Sequence, residues 1–198
     1  LDISDWQEGI DWDEIVNNSV EGVIIKFAEG QSSTDCFANF LASAKEKGLA
    51  WGAYVFTLAD NPDDSAAEAD YVLSLLGGEV PPLGVWYDIE RKYNSDQICI
   101  YDPFKNGVEN TTAMCSAFIS KCNAAGLMAG IYSGYYNLRD MINTDVLADY
   151  VPYWVADYSA SCTYKEEFPN KNVMAWQYSD KGNIAGTEVD ENLWYGAL

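Results

Sequence analysis

Apolar residues along the chain fall into short runs, and the runs separate into two periods. Eight of them are rich in β-branched and aromatic residues and read as strands: LDIS at 1–4, GVIIKF at 22–27, LAWGAYVF at 49–56, GVWYDIE at 84–90, MAGIYS at 128–133, YVPYWVADY at 150–158, NVMAWQYS at 172–179 and a short one around Val189. Three stretches between them repeat with the helical period. Residues 34–47 place Phe37, Phe40, Leu41 and Ala44 on one face, start at Thr-Asp and stop at Gly48. Residues 62–76 follow Asn61, carry Pro62 in the first turn and end in Gly77-Gly78. Residues 110–125 line up Met114, Cys115, Phe118, Ile119 and Cys122 and stop at Gly126.

Alternation of strand and helix implies a parallel sheet covered by helices, whose strands are apolar on both faces. Eight strands favour a closed barrel over an open sheet. A full (β/α)₈ barrel takes about 250 residues, whereas this chain has 198 and leaves little room for helices between 156 and 190. The expectation is therefore an α/β fold in one catalytic domain over 1–198, a trimmed TIM-like barrel whose last strands are joined by loops. NPDDSAAEAD and RKYNSDQICIYDPFKNG read as polar excursions, and the chain has no fixed-period repeat.

Charge narrows the chemistry. Eleven Lys and Arg oppose 31 Asp and Glu, a formal charge of −20, which repels a phosphate backbone or an anionic bilayer and argues against both as partners. With no histidine in the chain, Ser-His-Asp and Cys-His nucleophile systems are excluded, as are most zinc sites. Acid/base work then falls to carboxylates. No EF-hand-like loop occurs, so no metal and no cofactor are expected. Five cysteines are an odd number without a Cys-x-x-Cys pair, and Cys115 and Cys122 read as buried small hydrophobes. The chain starts at Leu1 without a signal-like segment or a long apolar run, so localisation has to be read from the chemistry.

In GVWYDIE the alternation of strand side chains puts Trp86, Asp88 and Glu90 on one face, with the two acids about 7 Å apart. Such spacing suits acid/base chemistry on one bond, and it also occurs where a strand simply runs out into solvent. Functional side chains of parallel barrels gather at the C-terminal strand ends. The other ends carry Asp2 and Asp5; Lys26 and Glu29; Tyr54 and Phe56; Tyr132; Trp154, Asp157 and Tyr158; Trp176, Gln177 and Tyr178; and Asp190. Singly, Asp5, Glu29 and Asp157 read as solvated or capping acids, and Trp12, Trp51 and Trp194 as core. Jointly, aromatic faces that stack on sugar rings and polar tips that bind hydroxyls suggest a glycan site. Its expected sugar contacts are Lys26, Tyr54, Phe56, Tyr132, Trp154, Tyr158, Trp176 and Gln177.

The same segments carry a resemblance. LDISDWQEGIDWDEI resembles the opening of the Chalaropsis-type muramidases, the family 25 glycoside hydrolases; IIKFAEG resembles their second strand, GAYVF the third, YDIE their Asp-x-Glu signature, WVADY the sixth and WQYSDKGNIAGTEVDEN the closing segment. The resemblance covers nearly the whole chain. It implies a flattened, incomplete barrel of eight strands and about five helices. It also implies hydrolysis of the β-1,4 bond between N-acetylmuramic acid and N-acetylglucosamine, by a monomer whose partner is the peptidoglycan glycan strand. Residue by residue, Glu90 falls on the family's general acid, Asp88 on the first Asp of the signature, Asp2 on the first-strand Asp and Asp190 on the last-strand Asp. The attacking group stays open between an Asp, a water and the substrate's own acetamido group, with the resemblance favouring retention. Secretion, or action at the wall, follows from that substrate.

Two departures stand out: Tyr54-Val55-Phe56 replaces a frequent Tyr-His-Phe, and Asp157 adds an acid where a neutral residue is common. Both imply an altered substrate preference or pH range. The high negative charge predicts an acidic optimum, because it raises carboxyl pKa values and opposes binding of an anionic polymer. A catalytically silent glycan-binding barrel is the alternative, disfavoured because a binding module has no need of all four acids. A chitinase-like enzyme lacks support, since the longer Asp-rich signature is absent.

Overall fold

In the computed structural model, which describes residues 1–196, eight strands close into a barrel: β1 (Asp2–Ile3), β2 (Gly22–Glu29), β3 (Ala50–Phe56), β4 (Val85–Asp88), β5 (Ala129–Gly134), β6 (Pro152–Ala156), β7 (Asn172–Ile184) and β8 (Thr187–Trp194). The last two positions of the expected 1–198 domain lie outside the described residues. Neighbours follow in chain order from β2 to β8, and β1 closes the ring by pairing with β2 in parallel and with β8 antiparallel. A short strand at Ser32–Ser33 extends β2, and the excursion after β4 folds into a separate hairpin of Lys92–Tyr93 with Cys99–Tyr101.

The expectation of a parallel sheet fails at β8, which is antiparallel to both its neighbours. A parallel return needs a crossover of a dozen or more residues, and only Ala185 and Gly186 separate β7 from β8. Both have positive φ, 51° and 94°, the requirement of a two-residue type I′ hairpin. Ala185 is strained there by its Cβ. Ala185→Asn, which suits this geometry, is expected to stabilise the protein by about 1 kcal/mol, read as a raised midpoint in chemical denaturation.

Six α-helices lie outside the barrel among the described residues: α1 (Trp12–Asn17), α2 (Phe37–Glu46), α3 (Pro62–Leu76), α4 (Val108–Ala124), α5 (Tyr135–Asp140) and α6 (Thr163–Glu167). The three expected from periodicity are α2, α3 and α4. The other three have six residues or fewer, under two turns, too short for a hydrophobic stripe to show. One of them, α6, occupies the β6–β7 connection where a plain loop was expected. Helix α3 begins as its sequence signals: Asn61 Oδ1 accepts the Asp64 N–H at 3.0 Å, Pro62 takes the first turn and Gly77 ends the helix with φ 59°.

Two cores result. The larger lies between strands and helices and takes Val85, Tyr87 and Ile89 from β4 and its exit. There Tyr87 stacks on Phe118 of α4 at 4.5 Å, and its hydroxyl lies 2.8 Å from Thr57 and 2.7 Å from Ser65. The smaller core fills the barrel interior with Ile24, Leu83, Trp86, Tyr132, Trp154 and Ala175. Trp86 meets Trp154 and Trp194 edge-on at 5.9 and 6.1 Å, and its indole N–H donates to the Leu83 carbonyl at 2.7 Å. Gly130 on β5 makes that possible: a Cβ there would stand 2.6 Å from the Trp86 ring and 2.5 Å from the Pro152 carbonyl oxygen. The tryptophans form an aromatic floor, and whatever sits above it faces the mouth of the barrel.

Candidate active site

Above this floor opens a groove of about 400 Å³ whose walls include Asp2, Asp88, Glu90 and Asp190 together with Lys26, Tyr54 and Phe56. The register explains why the acids meet. Asp2 of β1 is paired directly with Asp190 of β8, while Asp88 of β4 lies between Phe56 of β3 and Tyr132 of β5. Glu90 leaves β4 on a fixed track. Ile89 is fully buried in the outer core, its N–H donates to the Tyr132 carbonyl at 3.0 Å, and its own carbonyl accepts the Ser133 hydroxyl at 2.5 Å. An anchored Ile89 leaves the alternate residues Asp88 and Glu90 facing the groove, the parity of a strand carried one step past its end.

Burial shifts all four carboxyls upward, because removing them from water penalises the charged form. Asp88 goes well above the ordinary carboxylate range, through burial first and the Glu90 charge second, with Lys26 opposing. Its Oδ1 is buried with no hydrogen-bond partner. Glu90 rises to about 7 through burial and then the charge of Asp2, again against Lys26. Asp190 rises to about 7 through burial and its neighbour Asp2. Asp2 rises through burial, held back by hydrogen bonds from Asn192 and Gln177. Such a cluster keeps at least one carboxyl protonated near neutrality, which is what a general acid requires.

Lys26 is the groove's cation. It bonds Glu29 at 3.1 Å, lies 5.1 Å over the Phe56 ring, and shares Glu29 with Lys92 of the outer hairpin. The remaining expected sugar contacts are placed differently. Trp154 is 1% exposed and belongs to the floor. Trp176 packs on the outer core and donates its indole N–H to the Asp157 carbonyl at 2.6 Å. Tyr132 is buried and donates to Gln177 Oε1 at 3.0 Å; Gln177 is itself buried and donates from Nε2 to Asp2 Oδ2 at 3.0 Å. Tyr158 is exposed, donates to the same Gln177 oxygen at 2.9 Å and lines a second open groove of about 680 Å³ beside Tyr135 and Tyr136. Asp157, the unusual acid, is turned into the chain: its oxygens accept from Ser159 at 2.6 Å and from the Thr163 N–H at 2.7 Å at the start of α6. Those donors outweigh its burial and hold it below the usual carboxylate range.

Sequence reasoning missed two residues here. Asn192 donates from Nδ2 to Asp2 Oδ2 at 2.8 Å, and its signal was present in its parity, two residues beyond Asp190 on one strand. Trp6 stands at the groove rim with 91% of its surface exposed, carried on a short turn that Gln7 ties to the Glu188 carbonyl. Its signal was present in the opening segment LDISDWQ, whose resemblance to the family's first strand includes this Trp-Gln pair. Among the described residues no group of three or more His, Cys, Asp or Glu is arranged to hold a metal ion.

Comparison with known proteins agrees with this architecture. The family model described as glycosyl hydrolases family 25 matches residues 1–187. An autolytic lysozyme of Clostridium acetobutylicum is 27% identical over 198 residues, covering 98% of this chain and 54% of that protein. The modular autolysin LytC from Streptococcus pneumoniae superposes with a TM-score of 0.85 at 22% identity, over 98% of this chain and 46% of that one. A family 25 glycosyl hydrolase from Bacillus anthracis gives 0.78 at 19% identity, over 100% and 88%. The chain thus spans about half the length of the first two, and the structural matches establish the shared barrel.

Proposed function

Because the chain belongs to the glycosyl hydrolases of family 25, we propose that it is a lysozyme hydrolysing the β-1,4 bond between N-acetylmuramic acid and N-acetylglucosamine of bacterial peptidoglycan, outside the cell or in the wall. The observation that carries this reading is the convergence of Asp2, Asp88, Glu90 and Asp190 on one groove above an aromatic floor. The lysozyme relative supports the choice of substrate. In this reading Glu90, protonated, gives its proton to the leaving glycosidic oxygen as the bond to the muramic acid C1 breaks. Negative charge on the neighbouring carboxylates stabilises the oxocarbenium-like transition state. Family membership supports retention: an Asp, or the substrate's acetamido oxygen oriented by one, closes on C1 from the far face. Water then opens that intermediate, with Glu90 acting as base. Lys26, Tyr54 and Phe56 hold the sugar.

Release of new reducing ends from purified peptidoglycan tests the reading, and binding without release would leave the silent glycan-binding barrel in its place. The pH profile supplies a second check. With Glu90 at about 7 and required in its protonated form, the rate falls as pH rises through about 7 and steepens toward tenfold per unit beyond it. On the acid side the rate falls as the ionised partner takes up a proton, so the optimum lies below neutrality. A maximum at alkaline pH would remove Glu90 from the acid role.

A further inference from the structure

The amide side chains behind Asp2 are oriented by groups deeper in the barrel. The Trp154 indole N–H can only donate; it lies 2.7 Å from Asn192 Oδ1, so that oxygen accepts and Nδ2 is turned to Asp2. Two tyrosine hydroxyls, Tyr132 and Tyr158, converge on Gln177 Oε1 and leave its Nε2 for the same Asp2 oxygen. Asp2 Oδ2 therefore receives two N–H donors, which favour the charged carboxylate and leave only Oδ1 to take a proton. Among the described residues no N–H donates to the carboxyl of Asp190, its direct partner across β1 and β8; Asn192 Nδ2 reaches only the Asp190 backbone carbonyl, at 3.4 Å. Two adjoining carboxyls are most stable sharing one proton.

We propose that Gln177, Asn192 and Trp154 are positioning residues that keep Asp2 ionised and so hold the proton of the Asp2–Asp190 pair on Asp190. The charges around Asp2 do not make this choice by themselves. It is faced by the Leu1 amino group, by Asp190 and Glu191 of β8, Asp88 and Glu90 from β4, Lys26 of β2, Asp180 of β7, and the hydroxyls of Tyr54, Tyr132 and Tyr158. Both members of the pair lie among the same carboxylates; the Leu1 amino group favours the charged form of Asp2, and the two amide donors act in the same direction. Asp2 is then the member of the pair that ionises first, and Asp190 a proton-bearing carboxyl able to donate a hydrogen bond to substrate. The kinetic consequence rests on the lysozyme reading; the proton's location does not.

The test is a ¹³C carboxyl titration of the free protein, comparing wild type with Asn192→Leu, Gln177→Met and Trp154→Phe. Wild type is expected to ionise Asp2 before Asp190. Asn192→Leu and Gln177→Met each raise the Asp2 midpoint by about one pH unit, and Trp154→Phe, which removes the indole N–H and puts a smaller aromatic ring in its place, raises it less. The acid limb of kcat on peptidoglycan moves by the same amount while KM changes little, a pattern that loss of packing does not produce. If Trp154→Phe, the variant that loses most volume, fails to fold, the near-isosteric Asn192→Leu and Gln177→Met decide. An unmoved Asp2 midpoint in folded variants, or Asp190 ionising first in wild type, overturns the proposal. Wild type that opens no glycosidic bond overturns the lysozyme reading and leaves the titration to decide this one.

Discussion

Glu90→Gln is expected to lower kcat on purified peptidoglycan by about 10²–10⁴-fold, the range of a lost general acid, with the wall still bound. Glutamine keeps the shape of the side chain and its contacts with the groove, and loses only the proton that the leaving oxygen must take. Stability does not suffer. In the native protein the Glu90 carboxyl is held at about 7 by burial and by Asp2, and its own charge in turn raises Asp88. Removing a buried acid from such a crowd relieves repulsion, so the variant's denaturation midpoint is expected to match or exceed that of wild type at neutral pH. Reducing-end release and a pull-down on insoluble wall measure the two halves of the prediction. Full activity in the variant would move the acid role to another carboxyl, with Asp190 the first to examine.

Trp86→Ala is expected to have the largest effect on stability, about 3–5 kcal/mol, as for buried tryptophans truncated to alanine. Trp86 is fully buried, is packed edge-on by Trp154 and Trp194, and satisfies its indole N–H on the Leu83 carbonyl. Neighbouring side chains cannot collapse into the gap, since the barrel wall around it is a closed ring of strands. Against a typical total of about 5–15 kcal/mol, that loss leaves a protein partly unfolded at moderate temperature. Asp88 is two residues away on the same face, so the surviving folded fraction is expected to lose activity as well. Denaturant titration gives the first quantity and the specific rate of the folded fraction the second. A loss below about 1 kcal/mol would mean that the interior packs loosely, and the tightly packed aromatic floor would have to be abandoned.

The strands were legible because each is a short β-branched or aromatic run bounded by polar residues, and eight such runs in 198 residues already favoured a barrel. Helices α2, α3 and α4 were legible from ten or more residues of period and from their ends. Helices α1, α5 and α6 were not, being too short to carry a stripe. The direction of β8 was also hidden, because it depends on two positive φ values at Ala185 and Gly186, and alanine gives no hint of one.

Within the site, the parity argument placed Asp88 and Glu90 together on the groove side, and the strand-end argument brought in Asp2, Asp190, Lys26, Tyr54 and Phe56. The aromatics at the later strand ends divide in a way no pattern of residue types announces. Trp154 and Trp176 lie on the neighbouring strands β6 and β7, yet one points into the barrel floor and the other into the outer core. Gln177, Tyr132 and Asn192 turn their polar ends toward Asp2 and toward one another.

By itself, then, the sequence determined the strands, the three long helices, the shared face of Asp88 and Glu90 and the supply of acids without a histidine among them, since propensity, period and composition are local properties. Only the tertiary structure decided which acids touch, which amides orient them and which of them burial pushes toward neutrality. Those outcomes depend on desolvation and on pairings between residues as far apart as Asp2 and Asp190, set by closure of the ring.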